Sequence, residues 1–111
     1  MAHHLQENPD LCFVAADDSD QVVGFALGAS TYEILADTGH LEWVAVAPSR
    51  RGEGIARRLL DTAVDAFRRV GRRQVVADAS SDNAASRALF ARAGWHEGIS
   101  VTFFVRDLDE G

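Results

Sequence analysis

Lysine is absent from this sequence, and all 11 basic residues are arginine. Cysteine occurs once, at Cys12, which excludes an internal disulfide. In its strand-like setting it reads as a small core residue rather than a nucleophile. No apolar run approaches the length of a membrane span, and no signal-peptide pattern opens the chain. The expected location is therefore cytoplasmic, with no membrane partner. Repeats, low-complexity tracts and linkers are also missing. With 111 residues the chain can bury one core but not two, and it is read as a single domain over residues 1–111.

An excess of basic charge is lacking too. The net charge of −6 argues against general nucleic-acid binding, because neutralising phosphates needs a basic surface. The charge is uneven, however. Between Arg50 and Arg73 eight arginines face only Glu53, Asp61 and Asp65, whereas the rest of the chain holds three arginines and 14 acids. Arginine forks match phosphate oxygens, so this concentration points to a compact anion. A solvated helix face accounts for Arg68, Arg69, Arg72 and Arg73. It accounts less well for Arg50 and Arg51.

What is present falls into short apolar stretches and two helical ones. "LCFVAA" (Leu11 to Ala16) and "VVGFALGAS" (Val22 to Ser30) read as strands of a hairpin around the turn-rich "DDSDQ". "TYEILADTG" is a polar connection. "HLEWVAV" (His40 to Val46) starts with alternation and ends apolar, as a strand entering a core does, and Pro48 ends it. Then Ile55, Leu59, Ala63, Phe67 and Val70 recur at helical spacing, with Leu60 widening the stripe and Gly71 as the stop. "QVVADAS" (Gln74 to Ser80) is a further strand. A helix is expected from about Ala84 to Ala93, ended by Gly94, and a last strand over Ile99 to Leu108. This order implies an α/β fold on a mixed sheet.

"APSRRGEGIARRLL" (Ala47 to Leu60) therefore joins a strand to a helix through two glycines and two arginines. The first N–H groups of a helix have no internal partner, and the dipole makes that end positive. Gly52, Gly54 and small Ala56 leave this backbone uncovered for an anion. A Walker loop would close with Gly-Lys-Ser/Thr, which is missing. A dinucleotide fingerprint would need a third glycine where Arg57 stands.

The remaining pattern, Arg51-x-x-Gly54-x-Ala56 after "VAV-x-P", resembles the acyl-CoA pyrophosphate loop of the GNAT superfamily of N-acyltransferases. "DNAASRALFARAGW", with Asn83, Ala85, Phe90, Gly94 and Trp95, is similar to that family's second signature. The resemblance runs from about Glu7 to Leu108. It implies a GNAT-like mixed sheet flanked by helices, with the parallel strands "HLEWVAV" and "QVVADAS" splayed apart. Acetyl-CoA would be the co-substrate, with no metal, and an amine the acceptor. By the same resemblance Arg51, Gly52, Glu53, Gly54, Ile55, Ala56 and Arg57 hold the pyrophosphate. Val44, Ala45 and Val46 run beside the pantetheine arm, an N–H near Val44 faces the thioester oxygen, and Asn83 bonds the arm or simply caps its helix.

The amine must lose a proton, which requires a base. His40 and Glu42 lie two apart on one strand and so share a face. Glu42 is the first candidate, directly or through water, His40 the second, and Asp78 on the neighbouring strand the third. A solvated or capped strand residue is the plain alternative for each. Two departures from the family stand out. Phe90 occupies the place of a tyrosine that protonates the leaving thiolate in many relatives, and the only tyrosine, Tyr32, lies elsewhere. The family's first strand and two helices, which shape the acceptor pocket, have no counterpart in the roughly ten residues before "LCFVAA". The expectation is an N-terminally shortened domain with an open acceptor site, one sheet edge lacking its neighbour, exposed apolar surface, and a homodimer as remedy.

These residues imply an N-acetyltransferase acting on a primary amine of a small molecule, a protein N-terminus or a lysine. An acyl-CoA-binding module with little catalysis, completed by a homodimer or partner subunit, is the alternative. A plain interaction domain on a degenerate scaffold comes third.

Overall fold

Residues 3–7, 11–29, 37–79, 83–98 and 102–109 are described in the computed structural model of the chain; within 3–7 only the Leu5 side chain is described. The sheet grows from alternation. In β2 (Cys12–Asp17) and β3 (Val22–Ala29), Phe13, Ala15 and Ala26 are fully buried on one face, while Phe25 and Leu27 of β3 stay 36% exposed on the other. The strands pair antiparallel with Phe13 opposite Ala26, which puts the buried side chains on the same face. β4 (Thr38–Val46) adds antiparallel to β3, and β5 (Gln74–Ala77) adds parallel to β4. A short strand, β1 (His3–Glu7), pairs antiparallel with β2, so the sheet order is β1-β2-β3-β4-β5. The expected vacancy beside β2 is thus corrected. Five residues suffice to pair that edge.

One helix covers the buried face. α1 (Ile55–Arg69) turns Ile55, Leu59, Leu60, Ala63, Ala66 and Phe67 into the core, each at most 2% exposed. Burying each of the large side chains contributes roughly 1.5–3 kcal/mol. Phe67 lies so close to β3 and β4 that a Cβ on Gly28 would come 2.9 Å from its ring, and one on Gly39 closer still. Glycine is what lets the helix seat there. The stripe ends earlier than its spacing implies, because Val70 is the C-cap and is 46% exposed. Beyond it Gly71 adopts φ +82°, with its N–H bonded to the Arg68 carbonyl and that of Arg72 to Phe67, a Schellman stop.

α2 (Ala84–Arg92) brings Leu89, Phe90, Ala93 and Trp95 against the same core. The expected last strand is not found. Residues 99–101 lie outside the described residues, and 102–108 form neither strand nor helix, with Phe103, Phe104, Val105 and Leu108 81–95% exposed. Strand-forming side chains do not make a strand unless a neighbouring edge accepts the ladder, and among the described residues none pairs with them. Tyr32 and Ser80 also lie outside the described residues.

Candidate active site

The junction between β4 and α1 is built from backbone that few residues can adopt. A 3-10 turn (Pro48–Arg50) leads into Gly52 at φ +85° and Gly54 at φ +79°, the N-cap of α1. Both lie in the left-handed region that glycine enters without penalty. A Cβ at either would meet nothing within 4 Å, so the glycines are required by conformation and their surface stays open. Helix α1 has no side-chain cap and no acid in its first turn. Its first intrahelical bond runs from the Arg58 N–H to the Gly54 carbonyl, so the N–H groups of Ile55, Ala56 and Arg57 precede the ladder. Together they form a positive, open cradle.

A cavity of about 400 Å³ lies on this cradle, lined by Gly52, Gly54, Ile55, Ala56, Val46, Leu89 and four arginines, Arg50, Arg51, Arg57 and Arg92. The Arg50 fork is already engaged by carboxylates. Arg50 is only 8% exposed, and its fork donates to Glu53 through Nε (2.8 Å) and Nη2 (2.9 Å). Its Nη1 lies 3.5 Å from Asp17 Oδ2. The Glu53 hydrogen bond is the main cause that raises its pKa above the ordinary arginine value. Glu53 itself does not line the cavity. Arg57 shares its charge with Asp61 (3.1 Å), while Arg51 is exposed. Arg92 and Leu89 belong to α2, and only the packing of α2 beside the cradle identifies them. The sequence carries no local signal for either.

Beyond the cradle the two parallel strands part. Their pairing runs from Thr38 opposite Gln74 to Leu41 opposite Ala77, and stops there while β4 continues to Val46. On that side the backbone from Glu42 to Val46 has no ladder partner among the described residues. The ladder thus ends where the splay is expected to begin. A bulge coincides with it: Leu41 faces Gly28 and Trp43 faces Leu27, which leaves Glu42 as the extra residue of β4. The bulge reverses the faces. Leu41 is 2% exposed and Trp43 65%, while Val44 and Val46 turn back against the core.

His40 and Asp78 meet across the parting strands, with imidazole Nε2 3.1 Å from carboxylate Oδ1. Asp78 lies two residues past Val76, the register partner of His40, so the parallel pairing brings the two side chains to one face. The pair is unequal, with the His40 side chain 26% and the Asp78 side chain 81% exposed. Glu42 is exposed and has no ion pair with a described residue. Asn83 caps α2, its side chain accepting the Ser86 N–H at 3.1 Å. Phe90 packs edge-on against Trp95, with ring centroids 5.0 Å apart, and has no proton to give.

Comparison with known proteins gives a consistent picture. A model of the acetyltransferase (GNAT) family matches residues 1–95. An aminoglycoside N(6')-acetyltransferase type 1 of Acinetobacter genomosp. 13 is 27% identical over 97% of this chain and 77% of its own length. N-alpha-acetyltransferase 30 of Schizosaccharomyces pombe is 24% identical over 84% of this chain, which spans 62% of that protein. Among solved structures, the aminoglycoside N-acetyltransferase AAC(6')-Iy in complex with CoA superposes with a TM-score of 0.76 and 25% identity, covering 96% of this chain and 79% of the other.

Proposed function

Because the chain belongs to the GNAT acetyltransferase family, we propose that it binds acetyl-CoA on the α1 cradle and transfers the acetyl group to a primary amine. One observation carries the reading. The arginine-lined cavity on the left-handed glycines reaches Val46, the last residue of the open β4 edge, so an anion site and an unpaired strand edge are continuous. An anionic head with an extended, amide-bearing arm matches that combination. When bound, acetyl-CoA supplies an activated carbonyl and a thiolate leaving group.

Every other part of the reaction falls to the chain. Arg51, Gly52, Gly54, Ile55, Ala56 and Arg57, with the Glu53 backbone, hold the pyrophosphate, and Arg92 adds charge from α2. The open edge at Val44, Ala45 and Val46 aligns the arm, and an N–H near Val44 polarises the thioester oxygen. Asn83 can bond the arm as well as cap its helix. The amine loses its proton to a base as its nitrogen bonds to the carbonyl carbon and the carbon–sulfur bond breaks. The contact with Asp78 favours His40 as that base, with Asp78 holding the ring in the tautomer protonated at Nε2. Glu42 competes with it, directly or through water. Phe90 supplies no acid, and a thiol pKa of roughly 8.5 lets the thiolate leave without one.

The acceptor is a small molecule or a protein amine. Similar proteins include an aminoglycoside N(6')-acetyltransferase and an N-alpha-acetyltransferase. A second reading, a CoA-binding module of low activity completed by a homodimer, is favoured by specific surfaces. Trp43, Phe103, Phe104 and Val105 are 65–95% exposed, which is apolar area that a second copy can cover. Calorimetric titration with acetyl-CoA, followed by thiol release with a panel of amines, tests the proposal. Binding with amine-dependent release is expected, binding without release leaves the module, and no binding refutes both. Light scattering that reports a monomer at all concentrations refutes the homodimer.

A further inference from the structure

Arg50 is buried beside a site that needs positive charge, yet its fork is committed to two carboxylates. It stands at the end of the 3-10 turn, two residues before Gly52, and bonds Glu53 with two parallel N–H groups at 2.8 and 2.9 Å. Glu53 lies between the two left-handed glycines, so the torsions that shape the cradle flank the residue that Arg50 grips. The other end of the fork approaches Asp17, itself only 8% exposed. Asp17 is fixed in turn, because its Oδ1 accepts the N–H groups of Ser19 (2.9 Å) and Gln21 (3.0 Å) in the β2–β3 turn. A continuous chain of polar contacts thus runs from that turn to the cradle.

The arrangement solves an electrostatic problem set by the sequence. Glu53 places a carboxylate inside the loop proposed to hold pyrophosphate, where it would repel the ligand. Gripped by Arg50, it is neutralised and held off the cavity, whose lining includes Arg50, Arg51, Gly52 and Gly54 but not Glu53. A planar fork can do this and an ammonium cannot, since only the fork makes two parallel bonds of fixed direction.

We propose that Arg50 is a positioning residue for the anion cradle: it holds the Glu53 carboxylate away from the bound pyrophosphate and ties the Gly52–Gly54 turn to Asp17. The proposal rests on the acetyl-CoA reading above. Its test uses Arg50→Lys, which keeps a cation beside Asp17 so that the protein stays folded but breaks the double grip. CoA binding is measured by calorimetry on wild type, Arg50→Lys, Glu53→Gln and the double variant, with thermal unfolding recorded for each. Arg50→Lys is expected to melt near wild type and to bind CoA about tenfold more weakly. The double variant is expected to recover most of that loss, because the released side chain no longer carries charge. A merely structural role for Arg50 gives no such rescue. Undiminished CoA binding by Arg50→Lys, or a double variant as weak as Arg50→Lys alone, overturns the proposal while leaving the acetyl-CoA reading intact. Failure of wild type itself to bind CoA overturns that reading and this proposal with it.

Discussion

Replacing Gly54 with alanine isolates the conformational element of the cradle. Gly54 sits at φ +79° and ψ 11° at the N-cap of α1, and a Cβ there would meet no atom within 4 Å. The substitution therefore introduces no clash, only the left-handed penalty of about 1–2 kcal/mol. The loop around Gly54 is exposed, so in the unliganded protein it can relax out of the left-handed region. Binding must then restore the strained geometry, which weakens acetyl-CoA affinity by about 5- to 30-fold. Gly71 supplies the control, since its φ of +82° and empty Cβ position are nearly the same but it closes the far end of α1. Gly71→Ala should lower the melting temperature by roughly 5–10 °C and leave affinity at the wild-type value. Gly54→Asn, which tolerates the left-handed region, should recover part of the affinity lost in Gly54→Ala. Calorimetric titration and thermal unfolding of the three variants decide the matter. If Gly54→Ala bound acetyl-CoA like wild type, or Gly71→Ala bound it as weakly as Gly54→Ala, the reasoning would be refuted.

Other expectations concern the chemistry and the core. His40→Gln should lower the transfer rate by about a hundredfold, with acetyl-CoA binding unchanged. Unaltered turnover in both His40→Gln and Glu42→Gln would remove these two residues from the role of base. Phe90→Tyr retains the edge contact with Trp95 and restores an acidic hydroxyl, so turnover should rise; an unchanged rate and pH profile would show that no acid is needed. Gly39→Ala drives a methyl group into the Phe67 ring and should cost about 1–3 kcal/mol in a denaturant titration. A fully stable Gly39→Ala protein would mean that α1 does not press on β4 as described.

Much of this architecture is written in local pattern, and what is missing depends on distance. Helix α1 was legible because Ile55, Leu59, Ala63 and Phe67 repeat at its period and Gly71 terminates it. The cradle was legible because two glycines and an arginine pair are poor choices for any other helix start. β1 was not legible, since "HHLQE" has only Leu5 to turn inward, opposite Ala15, and its pairing comes from β2. The stretch from Thr102 to Leu108 misled in the opposite sense, having strand-forming side chains and no accepting edge among the described residues. In the site, Glu42, His40 and Asp78 could be nominated singly. That His40 and Asp78 touch follows from a parallel register that joins residues 38 positions apart. The charge of Arg50 is legible in the sequence and the aim of its fork is only partly so: Glu53 stands three residues on, but the second carboxylate, Asp17, lies at the end of another strand.

The most direct test of the cradle is residue-resolved. Two-dimensional ¹H–¹⁵N spectra of the protein during titration with acetyl-CoA report on each backbone amide. The largest and saturable shifts are expected at Gly52, Gly54, Ile55, Ala56 and Arg57, extending along Val44 to Val46. Shifts confined to another polar recess, such as that formed by Asp37, Thr38, Arg73 and Gln74, or no shifts at all, would contradict the account.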